Sequence, residues 1–156
     1  VYSELDHGTA FHLYFPLADI EENTFDVKEE VIYGNGNIII VDDEEAVRIM
    51  AKAILEYLGY SVISVNNGLD AIKTYLEKQN SIDLIIMDMI MPEMNGKECF
   101  YELKNINPDV KVVISSGFSQ EKDIDQLKKD GVLAFIRKPF HTAFLSKIVK
   151  ENIKRF

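Results

Sequence analysis

The sequence predicts an α/β fold, a five-stranded parallel sheet with helices on both faces. From residue 37 onward, five short β-branched or apolar runs alternate with stretches of helical length. Repeated strand–helix alternation implies βαβ units, and these place helices over both faces of a parallel sheet. Size and composition agree. The chain has 156 residues, of which 47% are hydrophobic and 28% charged, enough for one two-layer core and tight for two.

The strand-like runs fall at 38–41, 61–65, 83–87, 110–115 and 133–137. Between the first two, Val47, Met50, Ala51, Ile54 and Leu58 share one helical face, and Gly59 stops the helix as a C-cap residue should. Further helices are predicted over about 68–78, 96–104, 120–130 and 142–153. Right-handed crossovers leave few topologies for such a chain, and the flavodoxin-like order 2-1-3-4-5 fits five strands best. In these folds ligands sit beyond the carboxyl ends of the strands.

The first 36 residues differ in kind. They carry eight acids against the single base Lys28, hence −7 of the total net charge of −9. Residues 18–36 show no period of 2 or 3.6 and close with Gly34-Asn35-Gly36, which reads as an acidic linker ending at a flexible joint. A helix over 21–32 packed on the domain is the alternative. A strand rather than a helix follows the two glycines, so they do not form a phosphate loop. The negative balance argues against nonspecific nucleic-acid binding, which needs a basic footprint. Apolar runs such as 37–41 and 84–87 are far too short to span a bilayer, so no membrane contact is expected of this segment. The lone Cys99 cannot form an internal disulfide and fits a reducing, cytoplasmic setting. With neither an initiator Met nor a leader, Val1 is expected to be a cut within a longer polypeptide.

The predicted strand ends carry one chemistry. The first ends in Val41-Asp42-Asp43-Glu44, the third in Ile86-Met87-Asp88, the fourth in Ser115-Ser116-Gly117 and the fifth in Arg137-Lys138-Pro139. One pole of the sheet would then gather carboxylates, a hydroxyl and an ammonium. Crowded carboxylates repel each other, and a hard divalent cation such as Mg²⁺ with oxygen ligands relieves that repulsion. A carboxylate can also attack phosphorus to give an acyl phosphate, which needs cationic and hydrogen-bonding clamps on its oxygens. Lys138 and Ser116 would supply them. As simpler readings, Asp42 and Asp43 could cap the following helix, and Asp88 could open a turn before Pro92 and Gly96.

From residue 37 to about 155, the chain resembles the receiver domain of two-component response regulators. The resemblance rests on Asp42-Asp43, on Asp88-Met-Ile-Met-Pro92-Glu-Met-Asn-Gly96, on Ser116-Gly117 and on Lys138-Pro139-Phe140. It implies that Asp88 accepts the phosphoryl group from phosphohistidine on a histidine kinase or histidine phosphotransfer domain. Asp43, Asp88 and the backbone carbonyl of Ile90 would hold Mg²⁺, with Asp42 acting through water. Ser116 would be the switch hydroxyl, favoured over Ser115 by its spacing to Phe118, and Phe135 the aromatic that changes rotamer with it. A cis peptide is implied before Pro139. Residues 1–17, with the Asp6-His7-Gly8-Thr9 turn and Pro16, resemble the end of a histidine-kinase ATP-binding domain, although Asp6 stands where that pattern has glycine. The expected organisation is therefore a kinase remnant at 1–17, a linker at 18–36 and a receiver at 37–156, cut from a hybrid sensor histidine kinase of bacterial type. On this reading the segment is no stand-alone enzyme beyond its own phosphorylation and dephosphorylation, and its oligomeric state is open.

Two other functions could draw on these residues. A Mg²⁺-dependent phosphohydrolase with an aspartyl-phosphate intermediate typically needs a second carboxylate two residues after the nucleophile, where this chain has Ile90. An interaction module working without phosphorylation would have no need of Asp88, Lys138 and the acidic pair together. Ile90 and Phe118, both apolar, are expected to flank the path of water to phosphorus, where neither can orient it. A long-lived phosphate follows from that expectation.

Overall fold

The computed structural model describes residues 1–14, 30–117 and 121–153. Phe118 and residues 15–29, which include most of the acidic segment, lie outside the described residues. Strands β1 (Tyr2–Glu4) and β2 (Gly8–Ala10) form an antiparallel hairpin, fully exposed along both strands. Its turn places Asp6 at φ 64°, a left-handed conformation that Asp tolerates better than most residues and that glycine adopts freely.

The rest of the described chain alternates as the sequence predicts. It runs β3 (Asn37–Val41), α1 (Glu45–Tyr57), β4 (Ser61–Val65), α2 (Gly68–Lys78) and β5 (Leu84–Asp88), with one 3₁₀ turn at Gln79–Ser81. It continues through α3 (Gly96–Ile106), β6 (Val112–Ser116), α4 (Glu121–Lys129), β7 (Ala134–Arg137) and α5 (Thr142–Ile153). All pairings in the five-stranded sheet are parallel, and its order is β4-β3-β5-β6-β7, the predicted 2-1-3-4-5 arrangement.

Strand alternation divides the core into two layers. Ile39, Val41, Ile85, Met87, Val112 and Ile114 face α2, α3 and α4, while Ile38, Ile40, Leu84, Ile86, Val113 and Ile136 face α1 and α5. Helices cover β5 on both faces, so it is buried from end to end, apolar from Leu84 to Met87 and polar only at its last residue, Asp88. On α1 the buried face is Ala51, Leu55 and Leu58. Met50, expected in the core, is exposed, because the helix meets the sheet about one residue step round from the predicted stripe.

Helix α1 ends as Gly59 implied. Gly59 at φ 98° donates to the Glu56 carbonyl and Tyr60 to that of Leu55, the paired bonds of a Schellman motif. Helix α4 ends the same way through Gly131 and Val132. Other boundaries shift by one to two residues. Strand β5 begins after Asp83, whose carboxylate accepts the Asn37 N–H at 2.7 Å. Strand β6 begins later than predicted because Val110 N–H closes a turn onto the Asn107 carbonyl.

The glycine joint before β3 is docked. Gly34 N–H donates to the Leu58 carbonyl at 2.9 Å, and Ser61 N–H to the Gly36 carbonyl at 2.8 Å. A Cβ on Gly34 would overlap the Tyr60 hydroxyl, so glycine permits this approach. Ile32 N–H reaches Ser146 Oγ, Lys150 Nζ donates to the Tyr33 carbonyl, and the Tyr33 and Tyr57 hydroxyls pair.

Candidate functional site

The carboxyl ends of β3, β5, β6 and β7 meet at one pole, and the predicted groups converge there. Lys138 Nζ lies 2.6 Å from Asp42 Oδ2 and 3.0 Å from Asp88 Oδ2, with Glu44 more distant at 3.9 Å. The Lys138–Pro139 peptide is cis, as the resemblance implied. Carboxylate oxygens of Asp42, Asp43 and Asp88 all fall within 4.8 Å of one another. Asp42 and Asp88 are buried, at 2% and 6% exposure, while Asp43 faces solvent.

Local folding explains these positions. Asp42 N–H continues the sheet by donating to the Val65 carbonyl, and Asp42 Oδ1 accepts Glu44 N–H at 3.0 Å. The acidic pair is thus not the cap of α1. Its N-cap position is Glu44, which makes no side-chain capping bond. Beyond β5, Met89 N–H donates to the Ser115 carbonyl and Gly96 N–H to the Met89 carbonyl. Asn95 and Glu98 form a reciprocal capping box at the start of α3. Gly96 packs so closely on the Asp88 carbonyl that a Cβ would overlap it. The glycine of the predicted motif therefore closes α3 against the strand that carries Asp88.

The electrostatics follow from this crowding. Burial raises the Asp88 pKa above the ordinary carboxylate value, and the nearby Asp42 charge adds to it. Lys138 and the Ile90 backbone N–H oppose the shift without cancelling it. For Lys138, burial disfavours the ammonium, but hydrogen bonds to Asp42 and Asp88 outweigh it and raise the pKa above the usual lysine value. Asp42, Asp43, Asp88 and Lys138 sum to −2, the charge that one divalent cation neutralises. Three carboxylates with no sulfur or imidazole donor suit a hard cation of the Mg²⁺ type.

Ser116 is 5% exposed, and its hydroxyl has no hydrogen-bond partner among the described residues. Leaving a buried hydroxyl unpaired costs about 1–3 kcal/mol, which an incoming oxyanion can recover. Ser115 is the residue in register with Asp88, and by alternation the two serines lie on opposite faces of β6. Phe135 is half-buried against the layer under α2–α4, with Lys128 Nζ 5.8 Å from its ring centroid. Ile90 offers its backbone N–H to Asp88 while its side chain is 65% exposed.

One residue near the pole, Arg48, escaped the sequence reading, and Glu44, at the end of the first predicted strand, has no role in it. Glu44 is the outermost of the acids around Lys138, and Arg48 Nη1 donates to the backbone carbonyls of Asp42 and Asp43. The only sequence signal for Arg48 is a base one helical turn beyond the acidic run. Cys99 packs under α2 with its thiol against the Gly68 carbonyl, and burial pushes its pKa up to about 12. No helix among the described residues is long and apolar enough to cross a membrane.

Comparison with known proteins places these features in a family. The response regulator receiver domain family matches residues 38–150. Over 164 aligned residues the chain is 30% identical to sensor kinase CckA of Brucella abortus, an alignment covering 98% of this chain and 17% of that protein. The chain thus spans about a sixth of the length of that curated relative. It is 36% identical over 104 residues to chemotaxis protein CheY of Thermotoga maritima, covering 66% of this chain and 85% of the relative. Among solved structures, a response regulator receiver domain protein from Clostridium thermocellum superposes with a TM-score of 0.74 at 30% identity. That match covers 77% of this chain and 95% of the other.

Proposed function

The chain belongs to the response regulator receiver domain family, the phosphoacceptors of two-component phosphorelays, and from that premise we propose that Asp88 is the residue phosphorylated. The observation that carries this reading is the placement of Lys138 between two buried carboxylates, 3.0 Å from Asp88. An Asp88 oxygen attacks the phosphorus of phosphohistidine. The P–N bond breaks, its electron pair stays on the imidazole nitrogen, and an acyl phosphate forms on Asp88. Lys138 stands ready to neutralise the transferred oxygens, and the unpaired Ser116 hydroxyl can donate to one of them. Asp43, Asp88 and the Ile90 carbonyl would hold Mg²⁺, with Asp42 in support. Bound there, the ion lowers the charge repulsion between the carboxylates and the incoming phosphoryl group.

Phosphate adds nearly two negative charges at the pole, and Ser116 and Phe135 would respond to it. The readout is then a population shift on the surface built from α4, β7 and α5. The donor is a histidine kinase or a phosphotransfer domain. Residues 1–17 read as the end of a kinase ATP-binding domain. The near-complete alignment with CckA supports this, as does the left-handed Asp6 at a position where glycine is expected. The parent would then be a hybrid sensor kinase acting at the cytoplasmic side. The exposed apolar side chain of Ile90, two residues beyond Asp88, favours slow hydrolysis of the phosphate.

Intact mass after incubation with Mg²⁺ and acetyl phosphate tests the assignment. The expected gain is one phosphoryl group, absent in EDTA and in Asp88→Asn. Uptake that persists in Asp88→Asn would overturn the assignment, and no uptake by a folded, Mg²⁺-binding chain would favour an interaction module.

A further inference from the structure

The acidic turn between β3 and α1 is held by a residue outside the groups assigned above. Arg48 lies one turn into α1, and its backbone N–H closes on the Glu44 carbonyl at 3.1 Å. From there the guanidinium folds back over the turn. A single nitrogen, Nη1, donates to the Asp42 carbonyl at 2.7 Å and to the Asp43 carbonyl at 2.9 Å. Two successive peptide planes are thereby fixed by one planar, always-charged group.

The two acids depend on this clamp unequally. The Asp42 carboxylate is anchored independently, by Lys138 at 2.6 Å and by Glu44 N–H at 3.0 Å. Asp43 is exposed, yet its carboxylate lies within 4.8 Å of those of Asp42 and Asp88. An exposed side chain on an irregular turn is aimed chiefly by its own backbone, and Arg48 holds that backbone. We propose that Arg48 is a positioning residue, which clamps the Asp42–Asp43 backbone so that the Asp43 carboxylate is presented toward Asp88 for a divalent cation. The inference rests on the reading of this pole as a Mg²⁺ site.

A competing effect makes the proposal testable. Arg48 is itself positive, so by charge alone it would repel a dication, and removing it would tighten binding. If its carbonyl bonds preorganise the turn, removing it weakens binding instead. Arg48→Met deletes both the charge and the donors, whereas Arg48→Gln deletes the charge and keeps an NH₂ group that can reach a carbonyl.

The experiment titrates Mg²⁺ into the full chain, following amide ¹H–¹⁵N shifts and the Mg²⁺-induced rise in Tm, with Tm in EDTA as the measure of fold. The expected result is Mg²⁺ affinity about tenfold weaker in Arg48→Met, partly recovered in Arg48→Gln, with the EDTA Tm of both close to that of the unsubstituted chain. Affinity equal to or tighter than that of the unsubstituted chain in Arg48→Met, with Asp43→Asn abolishing binding, would overturn the role of Arg48 and leave the site reading intact. Should Arg48→Met not fold, Arg48→Ala, which also lacks every side-chain donor, decides by the same criterion. An unsubstituted chain that binds no Mg²⁺ would overturn both.

Discussion

At Asp88, burial disfavours the ionised carboxylate while Lys138, 3.0 Å away, favours it, and the raised pKa says that burial wins. A carboxyl whose folded pKa is raised binds its proton more tightly in the native state. Its contribution to stability is therefore full below the unfolded pKa and is lost as pH rises through the folded one. At neutral pH without metal, the ionised Asp88 lowers stability. Asp88→Asn removes the charge and keeps one acceptor oxygen, which can serve Lys138, while the other carboxylate oxygen becomes an NH₂ donor. In EDTA at pH 7 its Tm should exceed that of the unsubstituted chain, and the gain should shrink as pH falls below the carboxylate range. A lower Tm at pH 7 would mean that the attraction of Lys138 prevails. Residues of this kind were legible in the sequence because acids and a lysine end runs that are otherwise apolar. Arg48 was not, because its partners are carbonyl oxygens, which every residue carries alike.

Among the elements, the start of α3 sets how closely the acceptor strand is backed. Asn95 caps the Glu98 N–H at 2.9 Å, and Glu98 returns a bond to the Asn95 N–H at 3.1 Å. Asn95→Ala should cost about 1 kcal/mol in urea denaturation and leave phosphoryl uptake intact, since it touches only the helix end. Gly96→Ala is different, because its Cβ would meet the Asp88 carbonyl, a backbone atom that cannot rotate aside. It should cost about 1–3 kcal/mol and slow phosphoryl uptake as well, because α3 or the end of β5 must move. Equal uptake rates in the two variants, read by intact mass, would disprove the coupling. Helix ends were legible here for a physical reason: Gly59 and Gly96 occupy positions where a side chain is strained or excluded. Strand starts were less so. The offset of β5 depends on the Asp83 carboxylate accepting from Asn37, a contact 46 residues apart in the chain.

On the scale of the whole molecule, the two poles of the sheet have separate tasks. The carboxyl ends carry the acids and Lys138, whereas residues 30–36 approach the amino end of β3 and tie α1 to α5. Absence of periodicity in that segment suggests freedom, but it establishes only that the segment is irregular. Its anchors are backbone groups and the ring of Tyr33, none of which leaves a hydropathy pattern. A chain beginning at residue 37 loses the bonds from Gly34 to Leu58, from Ser61 to the Gly36 carbonyl, from Ile32 to Ser146 and from Lys150 to the Tyr33 carbonyl, and the exposed Tyr33–Tyr57 pair, together with Val31 from the layer under α1 and α5. Each hydrogen bond contributes about 0.5–1.5 kcal/mol net, so that chain should be roughly 2 kcal/mol less stable in urea than one beginning at residue 30. Its phosphoryl uptake should be unchanged, because none of the lost contacts involves Asp42, Asp43, Asp88, Ser116 or Lys138. Equal stability of the two chains would show that residues 30–36 only rest on the domain. A loss of uptake would show that the two poles are coupled through α1 and α5. The expected outcome, lower stability with full uptake, means that residues 30–36 brace the domain without taking part in the chemistry at Asp88.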